Sequence, residues 1–439
     1  MKDSTGTYDF DFAVAGGGPA GASAAIALAQ KGHRVVLFEK DRFPRFHIGE
    51  SLLSTANEAF EFLGVAKQVA AANFPIKWGA RLMTFNGEGG RGVDFSASRE
   101  IAQPQTYQVC REEFDRILLE RARELGAEIR EGHRVTACAF DADGVRLEVA
   151  AELPEGAPAR SVRVRALVDA TGRQGLLARM FALRQDEPKL ANVAVYSHFA
   201  GVPRLEGDRP NDIRIVARAD AGWFWLLPIN DELMSVGVVV PKSVYMALPH
   251  GSPEEMLAQA IAETPAVAEL MRDARREWPV RVEKDFSYGA SAYAGERWIL
   301  AGDAGSFLDP VFSTGVSIAM ESGIEAAQEL DRALAGNDFS ARSFARFSRR
   351  QEQRFAIFRR FVLAFYTPEF RDLFFQPHPP RLIFRAVVTV LAGNWRPRLW
   401  TRFLVEIFFL FVELQRRFKF SPPLFRRDAA AGYPARGPA

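Results

Sequence analysis

The chain has 439 residues and a formal net charge of +2, with 48% apolar and 25% charged residues. This length accommodates more than one packed core, and the composition is that of an ordinary globular protein. The near-neutral charge argues against a dedicated nucleic-acid surface. The two cysteines argue against a disulfide framework or a zinc site, so we expect no metal. The start of the sequence lacks the layout of a signal peptide, which predicts a cytoplasmic protein.

The first motif is a glycine-rich turn between a strand and a helix, DFAVAGGGPAGASAA (11–25). Its candidate binding residues are Gly16, Gly18, Pro19, Ala20 and Gly21. Backbone N–H groups at a helix start without bulky side chains bind pyrophosphate. The next strand ends at Glu39, 18 residues after Gly21, where a carboxylate can accept hydrogen bonds from ribose hydroxyls. The pattern predicts a dinucleotide site.

Segments with alternating strand character lie between further α/β motifs, at 77–87, 191–202 and 232–241. This interleaving predicts an α/β protein in which a mostly antiparallel sheet is inserted into a nucleotide-binding domain. We expect the discontinuous nucleotide-binding domain over 1–75, 105–189 and 286–335, and the substrate-domain sheet over 76–104 and 190–285. A helical C-terminal region over 336–420 and a disordered tail over 421–439 complete the prediction.

The aromatic segment FLVEIFFLFVELQRRF (403–418) looks at first like a membrane element. Its uncharged run between Glu406 and Glu413 has six residues, far fewer than the ~20 of a spanning helix. We therefore expect no membrane contact and favour a helix packed on the nucleotide-binding domain. The alternative is an apolar lid, or a docking face for a partner or a membrane surface.

Two further motifs identify the nucleotide. VCREEFD places Arg111 at a helix start, and AGDAGSFLDP places Gly302 and Asp303 directly after a strand. They resemble the second and third fingerprints of the glutathione-reductase-like FAD fold of single-component aromatic hydroxylases. The resemblance implies FAD. Because no second glycine fingerprint occurs, we expect a separate flavin reductase to supply FADH2.

Four motifs in order sharpen the resemblance: RFPRFHIGESLL (42–53), FPIKWGA (74–80), GWFWLLP (222–228) and FLDPVFSTGV (307–316). Together they resemble the flavin-dependent halogenases, and the last is typical of the phenol- and pyrrole-directed branch. The resemblance covers residues 8 to 420 and includes FYTPEFRDLFF (365–375). Besides the glycine turn and Glu39, it assigns FAD contacts to Lys40, Arg45, Ile48, Gly49, Glu50, Ser51, Arg111, Gly302, Asp303, Pro310, Gly315 and Val316.

The resemblance also implies a divided reaction in antibiotic-type secondary metabolism. Reduced FAD and O2 give a C4a-hydroperoxide, and chloride or bromide attacks it to form hypohalous acid. The halide is bound by the backbone amides of Thr314 and Gly315, after Ser313. The electrophile then travels through a tunnel to Lys77, which directs it onto a phenol- or pyrrole-like substrate, free or tethered to an acyl or peptidyl carrier protein. Trp223 and Trp225 separate flavin from substrate.

The sequence leaves alternative interpretations open for several of these residues. Lys77 lies between apolar residues, which favours burial, although an isolated lysine is usually solvated. Ser313 can instead cap the following helix. We assign no glutamate as the base found in tryptophan halogenases, and we expect His47 to shape the FAD loop. The arginines of NWRPRLWTRF (394–403) either contact an acidic carrier protein or form a solvated helix face.

The alternative functions share the fold. A flavin monooxygenase would hydroxylate the substrate and would need neither Lys77 nor a halide site. A reductase of the geranylgeranyl-reductase type would suit the phenylalanine-rich C-terminal region. A flavin-bound scaffold without chemistry is the third alternative, and the intact Lys77 and halide motif count against it.

Overall fold

The computed structural model describes residues 8–151, 160–219, 221–247, 251–421 and 423. It is a mixed α/β structure of the expected class, with a parallel sheet, an inserted sheet and C-terminal helices. Apart from residues 421 and 423, the predicted tail lies outside the described residues.

The parallel sheet carries the glycine turn. Its six strands lie in the spatial order Ala294–Gly295, Trp298–Leu300, Ala166–Asp169, Phe12–Ala15, Val35–Glu39 and Glu128–Glu131. Only the first pairs antiparallel with its neighbour among these strands. Because the carboxyl ends of parallel strands share one edge, Gly16, Glu39 and Asp303 lie at the same edge, where such sheets bind ligands.

Helices cover this sheet. They are Pro19–Ala29, Ala56–Leu63, Ala66–Ala71, Arg111–Glu124, Leu176–Met180 and Gly315–Gly336. Every residue of Pro19–Ala29 is buried, and small side chains let this helix pack closely on Gly315–Gly336. A separate three-stranded antiparallel sheet comprises His133–Phe140, Val145–Ala151 and Arg160–Val164.

The inserted sheet is mostly antiparallel, as predicted. Its strands follow the order Arg275–Arg276, Arg184–Ala200, Leu233–Pro241, Trp223–Pro228, Ile213–Ala217, Gly79–Met83 and Gly90–Asp94, with Arg281–Ala290 also pairing with Arg184–Ala200. Ile213–Ala217 and Gly79–Met83 form a parallel pair. Lys77 lies just before this sheet, in the short strand Ile76–Lys77 that pairs with Thr106–Tyr107. One face is covered by the helices Lys242–Ala247, Pro253–Ala262 and Pro265–Leu270.

The other face packs against the C-terminal helices Ala345–Phe365, Pro368–Phe374, Arg381–Leu391 and Leu399–Phe418. Leu399–Phe418 contacts chiefly Pro368–Phe374 and Arg381–Leu391, so it packs within the C-terminal layer and not, as expected, directly on the nucleotide-binding domain. Many of the chain's phenylalanines fill this layer, among them Phe361 and Phe370. Within the described ranges, no helix has the length and apolar character needed to cross a membrane.

Candidate functional site

The glycine turn leaves one side free for a ligand. A methyl group on Gly16 would lie 2.2 Å from the Ala170 carbonyl oxygen, and one on Gly21 would lie 1.9 Å from the Gly16 carbonyl oxygen. Backbone packing therefore requires both glycines. A methyl group on Gly18 would approach only the Arg45 guanidinium, at 3.6 Å. The bare start of helix Pro19–Ala29 thus faces a cation, the arrangement that suits a pyrophosphate.

Glu39 and Arg45 complete this end of the site. The buried Glu39 carboxylate accepts hydrogen bonds from the Gly17 amide at 2.7 Å and the Asp41 amide at 2.9 Å. Arg45 Nη1 lies 3.4 Å from Asp115 Oδ2 but makes no hydrogen bond within the described structure. A buried donor of this kind needs an acceptor, which a phosphate oxygen would supply. Lys40 lies near the surface, and its Nζ is 3.6 Å from Asp41 Oδ2.

The loop 47–51 joins the cofactor side to Lys77. Arg111 is paired with Asp115 at 2.8 Å and donates to the carbonyl oxygens of Ile48 at 2.8 Å and Gly49 at 3.3 Å. His47 Nδ1 lies 3.4 Å from Arg111 Nη1, consistent with the expected structural part in this loop. Arg111 thus fixes the loop backbone.

Glu50 faces the inserted sheet. Its Oε1 lies 2.9 Å from His198 Nε2, while Glu50 Oε2 and His198 Nδ1 are buried without a hydrogen-bond partner in the part of the chain described. The pair lies 148 residues apart in the sequence, which offered no pattern for His198. These open polar atoms mark a place for a polar ligand edge beside the loop.

Asp303 lies after Gly302 at the edge of the parallel sheet. Burial raises the pKa of its carboxyl to about 6, and the positive charges of Arg173 and Arg111 oppose that rise. A carboxylate placed between two cations can accept hydrogen bonds from hydroxyl groups of a ligand. Arg173 was not recognised from the sequence.

The halide turn, residues 313–315, follows a short 3₁₀ turn that begins at the exposed Pro310. Ser313 adopts the left-handed conformation with φ 57°. The helix begins at Gly315, and its N-cap is Thr314, which makes no side-chain cap hydrogen bond. Ser313 is therefore not the helix cap, because it lies one residue before the N-cap position, which Thr314 occupies. A methyl group on Gly315 would meet open space, and Val316 after it is buried.

Lys77 is buried, with 1% of its surface exposed. Its Nζ donates to Ser51 Oγ and to the Leu52 carbonyl oxygen, both at 2.8 Å. Burial lowers its pKa from 10.5 to about 7, although the Asp212 carboxylate favours the charged form. A neutral amine has two N–H donors, and two acceptors face them. Ser51, expected at the FAD, contacts Lys77 here.

Lys77 and the halide turn open onto one cavity of about 30 Å³. Apart from Lys77 and Ser313 its lining is apolar, with Leu53, Ala80, Leu82, Val93, Phe95, Ile213, Ile215, Val311, Phe312, Phe365, Phe374 and Leu391. About 10–15 Å³ accommodates one water molecule, so the cavity has room for a molecule of a few atoms. We call it the lysine cavity.

The two tryptophans of the GWFWLLP motif form an indole pair on one face of their strand. Their ring centroids are 6.0 Å apart, and both rings are buried. Trp223 Nε1 donates to Tyr366 Oη at 2.9 Å, and Trp225 Nε1 donates to Ser235 Oγ at 3.1 Å. Both indoles are therefore held in orientation as well as packed. Tyr366 was not singled out as a site residue, although its motif was.

Several known proteins are similar to this chain in sequence and fold. A family described as "FAD binding domain" matches residues 9–345. A 1H-pyrrole-2-carbonyl-[peptidyl-carrier protein] chlorinase of Pseudomonas fluorescens is 33% identical over 364 residues, which cover 77% of this chain and 80% of that protein. A solved flavin-dependent brominase triple mutant is 30% identical, with a TM-score of 0.81 over 93% of this chain and all of that one. A flavoprotein/dehydrogenase of Cytophaga hutchinsonii has a TM-score of 0.85 at 28% identity, over 93% and 99%.

Proposed function

Because this chain belongs to the flavin-dependent halogenases, we propose that it attaches chlorine or bromine to an electron-rich, pyrrole- or phenol-like ring under the direction of Lys77. The observation that carries the proposal is the shared cavity: Lys77 and Ser313 line one small, otherwise apolar space. A molecule the size of hypohalous acid fits between them.

FAD is the cofactor, and the open atoms around the glycine turn support its position. The backbone of the turn and Arg45 would hold the pyrophosphate, Glu39 the ribose, and Asp303 the ribityl chain. When bound in its reduced form, FAD supplies with O2 the oxidising power that turns halide into an electrophile. The chain shows no second glycine fingerprint, so we include a separate flavin reductase in the proposal.

The halide turn suits a small anion. The first amides of a helix have no partner within the helix, and the dipole of Gly315–Gly336 is positive at that end. Backbone amides bind a halide without a neighbouring cation that would hold it too firmly. We assign Thr314 and Gly315 as the halide-binding residues on this basis.

Lys77 is suited to covalent transfer of the halogen. In its neutral form the amine attacks the halogen of hypohalous acid, so that the N–X bond forms, the O–X bond breaks and water leaves. The ring then takes the halogen, and the nitrogen recovers a proton as the ring loses one. This balance needs no separate glutamate base. A pKa of about 7 provides a sizeable neutral fraction at physiological pH.

The indole pair is proposed to keep the oxidising centre away from the substrate. Both rings are buried and fixed by hydrogen bonds to Tyr366 and Ser235. Bulky rings without free rotation exclude a second ring from the space they fill. Direct transfer of oxygen to the substrate would thereby be disfavoured.

A carrier-tethered substrate fits a basic surface beside the cavity. Residues 340–402 contain thirteen arginines and three acidic residues. Arg354 and Arg371 are buried, and Arg350, Arg359 and Arg360 pair with glutamates, so only the remaining arginines can form a basic surface. Leu391 lines the lysine cavity, and five residues later Arg396 is exposed. Arg398 and Arg402 are exposed as well, beside the stacked rings of Trp400 and Phe403. We propose that an acidic carrier protein docks here.

The docking surface is tested by charge reversal. Changing Arg396, Arg398 and Arg402 together to glutamate should raise the KM for a carrier-tethered pyrrole about tenfold or more, because like charges now oppose the approach. The kinetics with a free pyrrole should not change. Arg417→Glu, on the far end of Leu399–Phe418, is the control. Equal KM values for wild type and the triple variant would exclude this surface.

The function itself is tested with purified protein, FAD, a flavin reductase, NADH and O2. Phenols, free pyrroles and carrier-tethered pyrroles are supplied with chloride or bromide, and products are read by mass spectrometry. We expect halogen isotope patterns that disappear without halide. A product that gains one oxygen would identify a hydroxylase. Alkene reduction under anaerobic conditions without halide would instead identify a reductase.

A further inference from the structure

The hydroxyl of Tyr366 makes three hydrogen bonds within 3 Å. It donates to Asp309 Oδ2 at 2.7 Å and accepts from Trp223 Nε1 and from Asn192 Nδ2, both at 2.9 Å. A phenolic hydroxyl has one donor and two acceptor sites, so all of its capacity is used. Asn192 Nδ2 also lies 2.8 Å from Asp309 Oδ2, which closes the network.

Asp309 connects this network to the halide turn. Its Oδ1 accepts a hydrogen bond from the Val311 amide at 3.2 Å and so caps the 3₁₀ turn that leads directly into Ser313. Its own amide donates to Ser287 Oγ at 2.9 Å. The carboxylate is 1% exposed, and a buried carboxylate is retained where several donors satisfy it.

The halide turn needs such support. Ser313 has φ 57°, a left-handed conformation that is unfavourable for a residue with a Cβ atom. A strained residue keeps its conformation only where neighbouring structure holds it. The capped turn before Ser313 and the start of the helix after it supply this constraint.

Residues 366–371, the segment that begins with Tyr366, also hold the strand of the indole pair in place. Arg371 is fully buried and donates to the carbonyl oxygens of Phe365, Arg218 and Ala221. Ala221 precedes Trp223 by two residues. Residues 366–371 thus hold both the strand that carries Trp223 and, through Asp309, the halide turn.

We propose that Tyr366 is a positioning residue whose hydroxyl holds the halide turn and Trp223 as one hydrogen-bonded unit and thereby sets the affinity for halide. This inference rests on the proposed halide site at residues 313–315. Tyr366 is not among the residues that line the lysine cavity. It acts by keeping the turn in the conformation that binds.

The test uses Tyr366→Phe in the oxidised, FAD-loaded protein. Bromide is titrated, and its Kd is read from the visible flavin spectrum, which does not depend on turnover. If only a fraction of the molecules keeps the halide turn in its binding conformation, the apparent Kd for bromide rises by the inverse of that fraction. We expect a rise of about tenfold. The Kd for FAD should change much less than the Kd for bromide, because the glycine turn, Glu39 and Arg45 are untouched and only the FAD contacts expected at Pro310, Gly315 and Val316 lie in the altered turn.

Three further variants separate positioning from loss of fold. Asp309→Asn should raise the bromide Kd in the same direction, because an amide cannot accept hydrogen bonds at both positions. The double variant should have about the same bromide Kd as the single variant that binds bromide more weakly, because the effects of residues in one network do not add. Tyr8→Phe removes a 2.6 Å hydrogen bond to the Asp143 carbonyl oxygen, away from this network, and should leave the bromide Kd unchanged.

The outcomes are distinguishable. A raised bromide Kd in Tyr366→Phe and Asp309→Asn, with a much smaller change in FAD affinity, supports the inference. Saturable bromide binding in wild type with the same Kd in both variants overturns it and leaves the proposed function intact. Wild type without saturable bromide binding overturns the halide site and this inference together.

Discussion

Replacing Lys77 with methionine should change how the stability of the protein depends on pH. Burial lowers the pKa of Lys77 from 10.5 to about 7 in the folded protein. In the unfolded chain the amine keeps its proton up to about its ordinary pKa. Between these two values the unfolded state therefore binds more protons than the folded state. The contribution of Lys77 to the free energy of unfolding is therefore lowest below about pH 7 and rises as the pH increases toward 10.5.

The size of the effect follows from the same two values. One bound proton of difference corresponds to about 1.4 kcal/mol per pH unit. Between about pH 7.5 and about pH 9.5 wild type should gain about 2.5 kcal/mol in its free energy of unfolding from Lys77 alone. Lys77 is 1% exposed, so solvent screening reduces this little. Methionine has a similar length and no proton to exchange, and its variant should lack this gain.

The assay is urea unfolding of FAD-saturated wild type and Lys77→Met across this pH range. All other titrating groups are common to both proteins, so the difference between the two free energies of unfolding isolates residue 77. The free energy of unfolding of wild type minus that of Lys77→Met should therefore increase as the pH rises. Parallel pH profiles would refute a neutral, desolvated Lys77 and with it the covalent route for the halogen.

The remaining predictions concern the glycines. Gly18→Ala should unfold like wild type yet bind FAD at least about tenfold more weakly, because its methyl group meets only Arg45 and the incoming pyrophosphate. Gly21→Ala should lose both stability and FAD binding, since its methyl group would lie 1.9 Å from the Gly16 carbonyl oxygen; calorimetry and FAD fluorescence report both quantities. Gly315→Ala should keep its thermal unfolding midpoint, because the methyl group meets open space, while halide KM rises; an unchanged KM would argue against Gly315 as a halide ligand.

Local sequence patterns were sufficient for the parts of the site that local geometry determines. The turn between strand and helix requires Gly16 and Gly21 because a methyl group would meet backbone just past the adjacent strand or in the turn itself, and Glu39 ends the neighbouring parallel strand. The burial of Lys77 was inferred from the apolar residues on both sides. In each case the relevant neighbours lie within a few residues or on the adjacent strand.

Contacts between distant segments could not be predicted in this way. Trp223 meets Tyr366 across 143 residues, and Glu50 meets His198 across 148. Such pairs depend on how the inserted sheet packs against the C-terminal helices, which periodicity does not reveal. Ser51 shows the same limit: its motif indicated the cofactor, while its hydroxyl accepts a hydrogen bond from Lys77.

In the proposed function, the electrophile forms at the halide turn and Lys77 alone directs it. The most direct measurement compares wild type and Lys77→Met in turnover with chloride or bromide, once with a diffusible trap for hypohalous acid and once with the substrate that wild type halogenates. We expect that the variant still halogenates the trap and gives no halogenated substrate. Halogenation of the substrate at equal rates in both proteins would contradict this expectation.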